Sequence, residues 1–134
     1  MRPDFFAEYL TGLVTNSPGV QRVQSLVGAG EASVSFGVAV TVDGREVRWQ
    51  VMGQLADGEK HDAPAAPVDG RPAPYVAVGT RAAPDVWLAG VLGAGESPQI
   101  EQVDIWSARE NPAKDHFGLT VRFYNGQRVF VRKT

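Results

Sequence analysis

The clearest pattern in the chain is an alternation of apolar and polar residues between Val34 and Met52. Apolar side chains occupy every second position on both sides of Asp43-Gly44: Val34, Phe36, Val38, Val40 and Val42 before it, and Val47, Trp49 and Val51 after it. Asp-Gly favours the two positive φ angles of a type I′ turn, so we expect a β-hairpin with a two-residue loop. The resulting pairs are Val40 with Val47, Val38 with Trp49 and Phe36 with Val51. This register places both apolar rows on one face of the hairpin.

A second hairpin is expected between Leu119 and Arg132, around Asn125-Gly126. A two-residue turn would mix apolar residues with arginines on one face. A three-residue loop ending in Gly126, in the left-handed conformation, keeps the apolar residues together and is therefore preferred. It pairs Val121 with Val129 and Leu119 with Val131. The opposite face then carries Thr120, Arg122, Arg128, Phe130 and Arg132.

Helical spacing of apolar residues predicts two to three helices. The first covers residues 3–14, with Pro3 and Asp4 suited to its first turn, and another begins at Pro84 and ends at Gly93. A further helix is expected between Ser17, its cap, and Gly28. A strand is the alternative for this last segment, because Val-Gln-Arg-Val contains no strong helix former.

The other segments predict short strands and loops. Strands are expected at residues 75–78 and 100–107, and a polar loop at 108–117. The segment 56–74 contains four prolines, so we expect no helix or strand there. A loop of this length is expected to be mobile, and a functional loop is the alternative.

These elements predict a single α+β domain covering residues 1–134. Its core is a mainly antiparallel sheet of five to six strands, including the two hairpins, packed against two to three helices. The sequence Gly-Ala-Gly-Glu occurs at 28–31 and again at 93–96, each time after a predicted helix. An internal duplication would explain the repeat, but two glycine helix caps explain it more simply. Phosphate loops lead into helix N-termini, so these glycines do not fit phosphate binding.

Composition removes several classes of site. The chain has no cysteine, which excludes disulfides, thiolate metal ligands and a cysteine nucleophile. Acidic residues interrupt the N-terminal apolar stretch, so no signal peptide is expected, and no apolar run approaches the roughly 20 residues of a membrane span. We therefore expect a soluble cytoplasmic protein. The excess of arginine over lysine, with many Ala, Gly, Val and Pro residues, is typical of GC-rich coding such as that of actinobacteria.

Charge is distributed unevenly along the chain. Residues 1–108 hold seven Lys and Arg against thirteen Asp and Glu, a net charge of −6, whereas residues 109–134 hold six against two, a net charge of +4. In the basic tail, Arg122, Arg128 and Arg132 share a predicted sheet face with Phe130. Such a face suits phosphate contacts with base stacking, or a protein interface, and an ordinary solvated strand face is the simpler alternative.

Signals for catalysis are weak. Two histidines each adjoin an aspartate, in His61-Asp62 and Asp115-His116, and would form a metal or acid-base cluster only if their loops met. No Gly-Xaa-Ser-Xaa-Gly motif accompanies them. Pro84-Asp85 followed by Glu101-Xaa-Val103 lacks the lysine of the nuclease pattern it partly matches. We expect no cofactor and no bound metal.

The sequence therefore favours a non-enzymatic interaction protein that binds a protein partner or self-associates through its sheet. This hypothesis rests on the Arg/Phe face of the second hairpin and on the small residues that alternate with the apolar row of the first. Nucleic-acid binding through the basic C-terminal hairpin is the first alternative. The second is a hydrolase-type enzyme in which the 56–74 loop covers the His/Asp cluster.

Overall fold

The computed structural model describes residues 2–30, 36–60, 63, 65–114 and 116–134. The described residues form two α-helices, six strands and one short 3-10 turn. In chain order these are α1 (Pro3–Thr15), β1 (Val20–Ser25), β2 (Gly37–Val42), β3 (Arg45–Gln54), α2 (Pro84–Ala94), β4 (Ile100–Ile105), the turn Trp106–Ala108, β5 (Gly118–Phe123) and β6 (Arg128–Lys133). The strands form one antiparallel sheet in the order β1-β2-β3-β6-β5-β4. The predicted α+β class, with six strands and two helices, is confirmed.

The sheet consists of two similar halves, each a helix followed by three strands. β3 and β6 pair at the centre, where Gln50 lies opposite Arg132. A two-fold rotation about that centre exchanges the pairs on either side of it, which are Val51 with Val131 and Trp49 with Lys133. The two edge strands also have matching irregularities, since the register shifts between Val20 and Arg22 in β1 and between Ile100 and Gln102 in β4. The fold therefore has pseudo-two-fold symmetry.

Both helices pack on one face of the sheet, which we call the inner face. Phe6, Leu10 and Val14 of α1 are fully buried there, and so are Leu88 and Leu92 of α2. The buried sheet residues beneath them are Val38, Val40, Trp49, Val51, Leu119, Val121, Phe123, Val129 and Val131. Alternate residues of β2, β3, β5 and β6 thus face one hydrophobic core, because successive side chains of a strand point to opposite faces of the sheet.

The opposite, outer face is partly covered by the segments that follow the edge strands. Leu26 follows β1 and lies over Gly37, and Trp106 follows β4 and lies over Gly118. A Cβ atom at either glycine would also collide with backbone, at the carbonyl oxygen of Trp49 or of Val131. Glycine is needed at both positions because only a residue without a side chain leaves room for this cover.

Asp85 joins α2 to the second half of the sheet. Its carboxylate is fully buried and accepts hydrogen bonds from the Ser107 amide at 2.9 Å, the Ser107 hydroxyl at 2.5 Å and the Gly118 amide at 3.1 Å. A buried carboxylate needs such donors to replace its lost hydration. Asp85 therefore has a structural role in the first turn of α2.

The structure confirms both predicted hairpin registers. Val40 pairs with Val47 in the first hairpin, and Val121 pairs with Val129 in the second. Asp43 and Gly44 have φ angles of 50° and 77°, as a type I′ turn requires, and Gly126 has a φ of 90°. The predicted start of the first hairpin, Val34, lies outside the described residues.

The helix predicted between Ser17 and Gly28 is wrong, because this segment forms β1. Val20 and Val23 lie on the inner face, where they pack against the core and pair with Val42 and Val40. The segment has only a weak intrinsic preference for helix or strand, so its burial against β2 determines that it forms a strand. Gly28 consequently lies in a turn, so the two Gly-Ala-Gly-Glu segments are not structurally equivalent: one follows a strand, and the other begins inside α2.

The strand predicted at residues 75–78 is also absent. These residues have no regular structure and lie across α2, where a Cβ at Gly90 would come within 2.9 Å of the Val76 carbonyl oxygen. A Cβ at Gly93 would overlap the Tyr75 side chain. The segment packs on the surface of a helix, where no strand edge is available for backbone hydrogen bonding. Its β-branched residues therefore do not form a strand.

Alanine substitution should distinguish the two constrained glycines from an unconstrained one. Gly37→Ala and Gly118→Ala should each destabilise the fold by about 1–3 kcal/mol, because the added methyl group must displace packed backbone. Gly12→Ala is the matched control, since a Cβ there meets nothing within 4 Å in exposed helix. It should stabilise the protein by about 0.5–1 kcal/mol. Urea unfolding followed by circular dichroism measures all three, and equal effects at Gly12 and Gly37 would contradict the packing argument.

Candidate binding surface

The four residues predicted as a binding face lie on the outer face of the sheet, on β5 and β6. Arg122 is directly opposite Arg128, and Gly118 is opposite Arg132. Phe130 lies between Thr120 of β5 and Met52 of β3. We call the group the arginine surface and define it by Gln50, Met52, Gln54, Arg122, Arg128, Phe130 and Arg132.

Within the described residues, no side chain neutralises the charges of this surface. Arg122, Arg128 and Arg132 are exposed, and none of their guanidinium groups forms a hydrogen bond or an ion pair with another residue in the described part of the chain. Like charges directly opposite each other on neighbouring strands repel, so the pairing of Arg122 with Arg128 costs free energy in the isolated protein. An anionic group bound between the two guanidinium groups would remove that cost.

The apolar part of the surface lies between the arginines. Met52 is 37% exposed, and Phe130 next to it is half-buried. An aromatic ring and a flexible thioether side by side form a small apolar strip that adapts to the shape of a ligand. Met52 and the two glutamines could not be assigned from the sequence, because they reach this surface only through the pairing of β3 with β6.

The surface ends at the first hairpin. Ala39 lies on the outer face of β2 but is only 1% exposed, and Arg48 of β3 donates a hydrogen bond to the Ala29 carbonyl at 3.1 Å. The segment after β1 therefore covers the small-residue face of the first hairpin, which the sequence predicts as part of the binding surface. Among the described residues, the exposed part of the arginine surface lies on β3, β6 and the end of β5 that carries Arg122.

Of the predicted His/Asp cluster, His116 lies within the described residues. His61, Asp62 and Asp115 lie outside the described residues. His116 is exposed, and its ring packs against Trp106 at 4.7 Å between centroids. The Trp106 indole donates to the Thr120 hydroxyl at 2.9 Å. Among the described residues, no group of three or more His, Cys, Asp or Glu side chains is placed to hold a metal ion.

The described residues of the 56–74 loop contain no helix or strand, as predicted, apart from a single bridge between Lys60 and Ala63. Hydrogen bonds nevertheless anchor both ends of the loop. Near its start, Glu59 accepts from the amides of Ala65 and Ala56 and from the Gln127 side chain at 2.7 Å. The backbone amide of Ala65 contributes most to lowering the pKa of Glu59, and the other two donors add to the effect. At the other end, the Gly70 amide donates to the Pro98 carbonyl at 2.7 Å and the Tyr124 hydroxyl donates to the Arg71 carbonyl at 2.6 Å.

Comparison of the chain with protein-family models, with curated proteins and with solved structures finds no match. Neither of the helices described above is long and apolar enough to cross a membrane. A functional conclusion must therefore come from the surfaces and cavities of the protein.

The anchoring of the loop by Glu59 should depend on pH. Because the pKa of Glu59 is lowered in the folded state, its hydrogen bonds are complete above the unfolded pKa of about 4.3 and are lost as the pH falls through the folded value. Glu59→Gln should speed hydrogen exchange at the Ala56 and Ala65 amides at neutral pH and remove the acid-dependent release. Asp57→Asn, at an exposed position in the same loop, is the control and should leave exchange unchanged. Identical exchange in all three proteins would show that Glu59 does not hold the loop.

Proposed function

We propose that this protein is a non-enzymatic interaction protein. Its arginine surface binds a segment of a protein partner in which acidic residues flank an apolar side chain. One observation carries the proposal. Three exposed guanidinium groups without acidic partners in the described chain surround the apolar strip of Phe130 and Met52. This combination of charge and apolar area matches a segment in which acidic residues flank an apolar side chain.

The residue types of the surface support a protein partner. Aromatic residues, methionine and arginine are enriched at protein interfaces, where they supply contact area and bidentate hydrogen bonds to carboxylates. The surface lies on paired strands, so its side chains are held in fixed positions and lose little freedom on binding. The first 108 residues have a net charge of −6, so a second copy of the chain is an alternative source of the acidic segment.

Removing the three arginines should weaken partner binding without unfolding the protein. Replacing Arg122, Arg128 and Arg132 together with alanine should weaken partner capture by about tenfold or more, since each lost charge-assisted contact contributes to affinity. The unfolding midpoint should stay the same or rise, because the repulsion between Arg122 and Arg128 disappears. The measurement is quantitative pull-down from the native host, with light scattering of the purified protein to detect self-association.

The matched control replaces three exposed arginines elsewhere, Arg2, Arg22 and Arg71, with alanine. It removes the same charge but should retain the partner. A protein that is strictly monomeric and captures nothing specific would overturn the proposal, as would equal loss of capture in the two triple variants.

Single-stranded nucleic acid is a second candidate ligand for the same surface. The position of Phe130 among the arginines favours it, because bases stack on exposed aromatic rings while guanidinium groups contact phosphates. The net charge of −2 for the whole chain opposes it, since the long-range field does not attract a polyanion. The protein partner is therefore the leading proposal.

Salt and ring substitution should distinguish this second candidate. If nucleic acid binds, affinity for labelled single-stranded DNA or RNA should fall steeply as salt rises, because releasing counterions into a more concentrated solution gains less free energy. Phe130→Ala should then cost about 1–3 kcal/mol of binding free energy if the ring stacks on a base. Retention on a filter at about 50 mM salt, where the electrostatic contribution is strong, is the direct measurement. Absence of binding there would exclude nucleic acid and leave the protein partner.

A further inference from the structure

A cavity of about 640 Å³ lies on the inner side of the sheet, between the turn of the first hairpin and the N-terminal end of α2. Its apolar lining consists of Val40, Val42, Val47, Trp49, Ala82, Pro84 and Trp87. The volume falls within the range of about 300–1,000 Å³ that is typical of small-molecule sites. The cavity lies on the opposite face of the sheet from the arginine surface, so it is a separate feature of the protein.

The pseudo-symmetry shows why this cavity exists. Val42 and Phe123 are equivalent, because each ends the middle strand of its half and pairs with the first residue of an edge strand, Val20 or Ile100. In the second half, the Phe123 ring meets Phe6 of α1 edge-on at 6.2 Å and fills the space between sheet and helix. In the first half, the smaller Val42 leaves the corresponding space beside α2 empty.

The residue that follows the hairpin turn also differs between the halves. Gln127, which follows the second hairpin turn, is 6% exposed and bonds Glu59. Its counterpart in the first half is Arg45, which pairs with Val42 and is exposed at the cavity. One half of the fold is thus closed by packing and hydrogen bonds, whereas the other half is open and basic.

The polar lining favours an anion. Arg45 and Arg81 both line the cavity, both are exposed, and neither guanidinium group bonds another residue in the described ranges. The one carboxylate of the lining, Asp43, accepts a hydrogen bond from the Thr80 hydroxyl at 2.5 Å. The lining therefore has a net charge of +1, with two guanidinium groups available to a ligand. A guanidinium group binds a carboxylate through two parallel hydrogen bonds.

We infer that this cavity binds a small organic anion, a carboxylate with a flat aromatic body. The aromatic part lies against Val42, Trp49 and Trp87, and the carboxylate contacts Arg45 and Arg81 at the opening. Burying the ring removes apolar surface from water, and the two arginines select the charge. The inference does not depend on the arginine surface or on its partner.

The three tryptophans of the chain provide a test of position. Trp49 and Trp87 line the cavity, whereas Trp106 packs on the outer face against Thr120. On titration of the full chain with 2-naphthoate, the indole N–H signals of Trp49 and Trp87 should shift in a nitrogen-proton correlation spectrum and that of Trp106 should not. The neutral amide 2-naphthamide should bind about tenfold more weakly, since it cannot form the charged contacts.

Two kinds of variant test the mechanism. Val42→Phe fills the cavity in the manner of Phe123 and should abolish binding of both compounds while leaving the thermal midpoint equal or higher. The double substitution Arg45→Gln and Arg81→Gln, at exposed positions, should weaken naphthoate about tenfold and leave naphthamide unchanged. Arg22→Gln is the charge control and should bind naphthoate normally. The inference is overturned if no signal shifts at millimolar ligand, if the Trp106 signal shifts instead, or if the filled variant binds as well as the original protein.

Discussion

The pairing of β3 with β6 is the interaction on which the rest of the structure depends. A helix on three strands has only a small core of its own, because a short chain buries a smaller fraction of its surface than a longer one. Joining the two halves at Gln50 and Arg132 merges their apolar rows, with Val51 opposite Val131, under both helices. A slip of one residue in this pairing would turn the inner row outward, so the register is fixed by burial. The same pairing brings Met52 beside Phe130, and the candidate binding surface is therefore a product of the central register.

Sequence patterns predict the local parts of this fold and not the distant ones. The two hairpins are encoded by alternation and by turn residues with positive φ, so their registers could be derived from Asp43-Gly44 and Asn125-Gly126. The pairing of β3 with β6 joins residues about 80 positions apart, and no local pattern specifies it. β1 was predicted as a helix because its sequence favours neither state strongly, and only burial against β2 decides it. The three arginines and Phe130 belong to one hairpin, so they could be proposed as a surface from the sequence. The cavity at Val42 could not be predicted, because it depends on where α2 packs against the sheet.

The two candidate sites lie where the halves of the pseudo-symmetric fold differ. In the first half the central register places Glu46 and Arg48 at the positions equivalent to Arg128 and Phe130, and these two residues form an ion pair at 3.4 Å. In the second half the equivalent positions carry an uncompensated charge and a ring. On the inner face the second half is the filled one: the Phe123 ring occupies the space between sheet and helix, whereas in the first half Val42 lines a cavity. Features shared by the halves, such as Gly37 and Gly118, maintain the fold, and the differences provide surfaces for binding.

The matching bulges in β1 and β4 affect how copies of this protein meet. These two strands are the outer edges of the sheet, and a regular edge offers unpaired amide and carbonyl groups to any other strand. The register shifts at Gln21 and Glu101 bend each edge, so an incoming strand cannot pair along its full length. Exposed polar and charged side chains on both strands, including Arg22 and Glu101, oppose the approach further. A bulge at the equivalent position of β1 and β4 thus protects both edges of the sheet. It opposes growth into cross-β fibrils by strand addition at each edge.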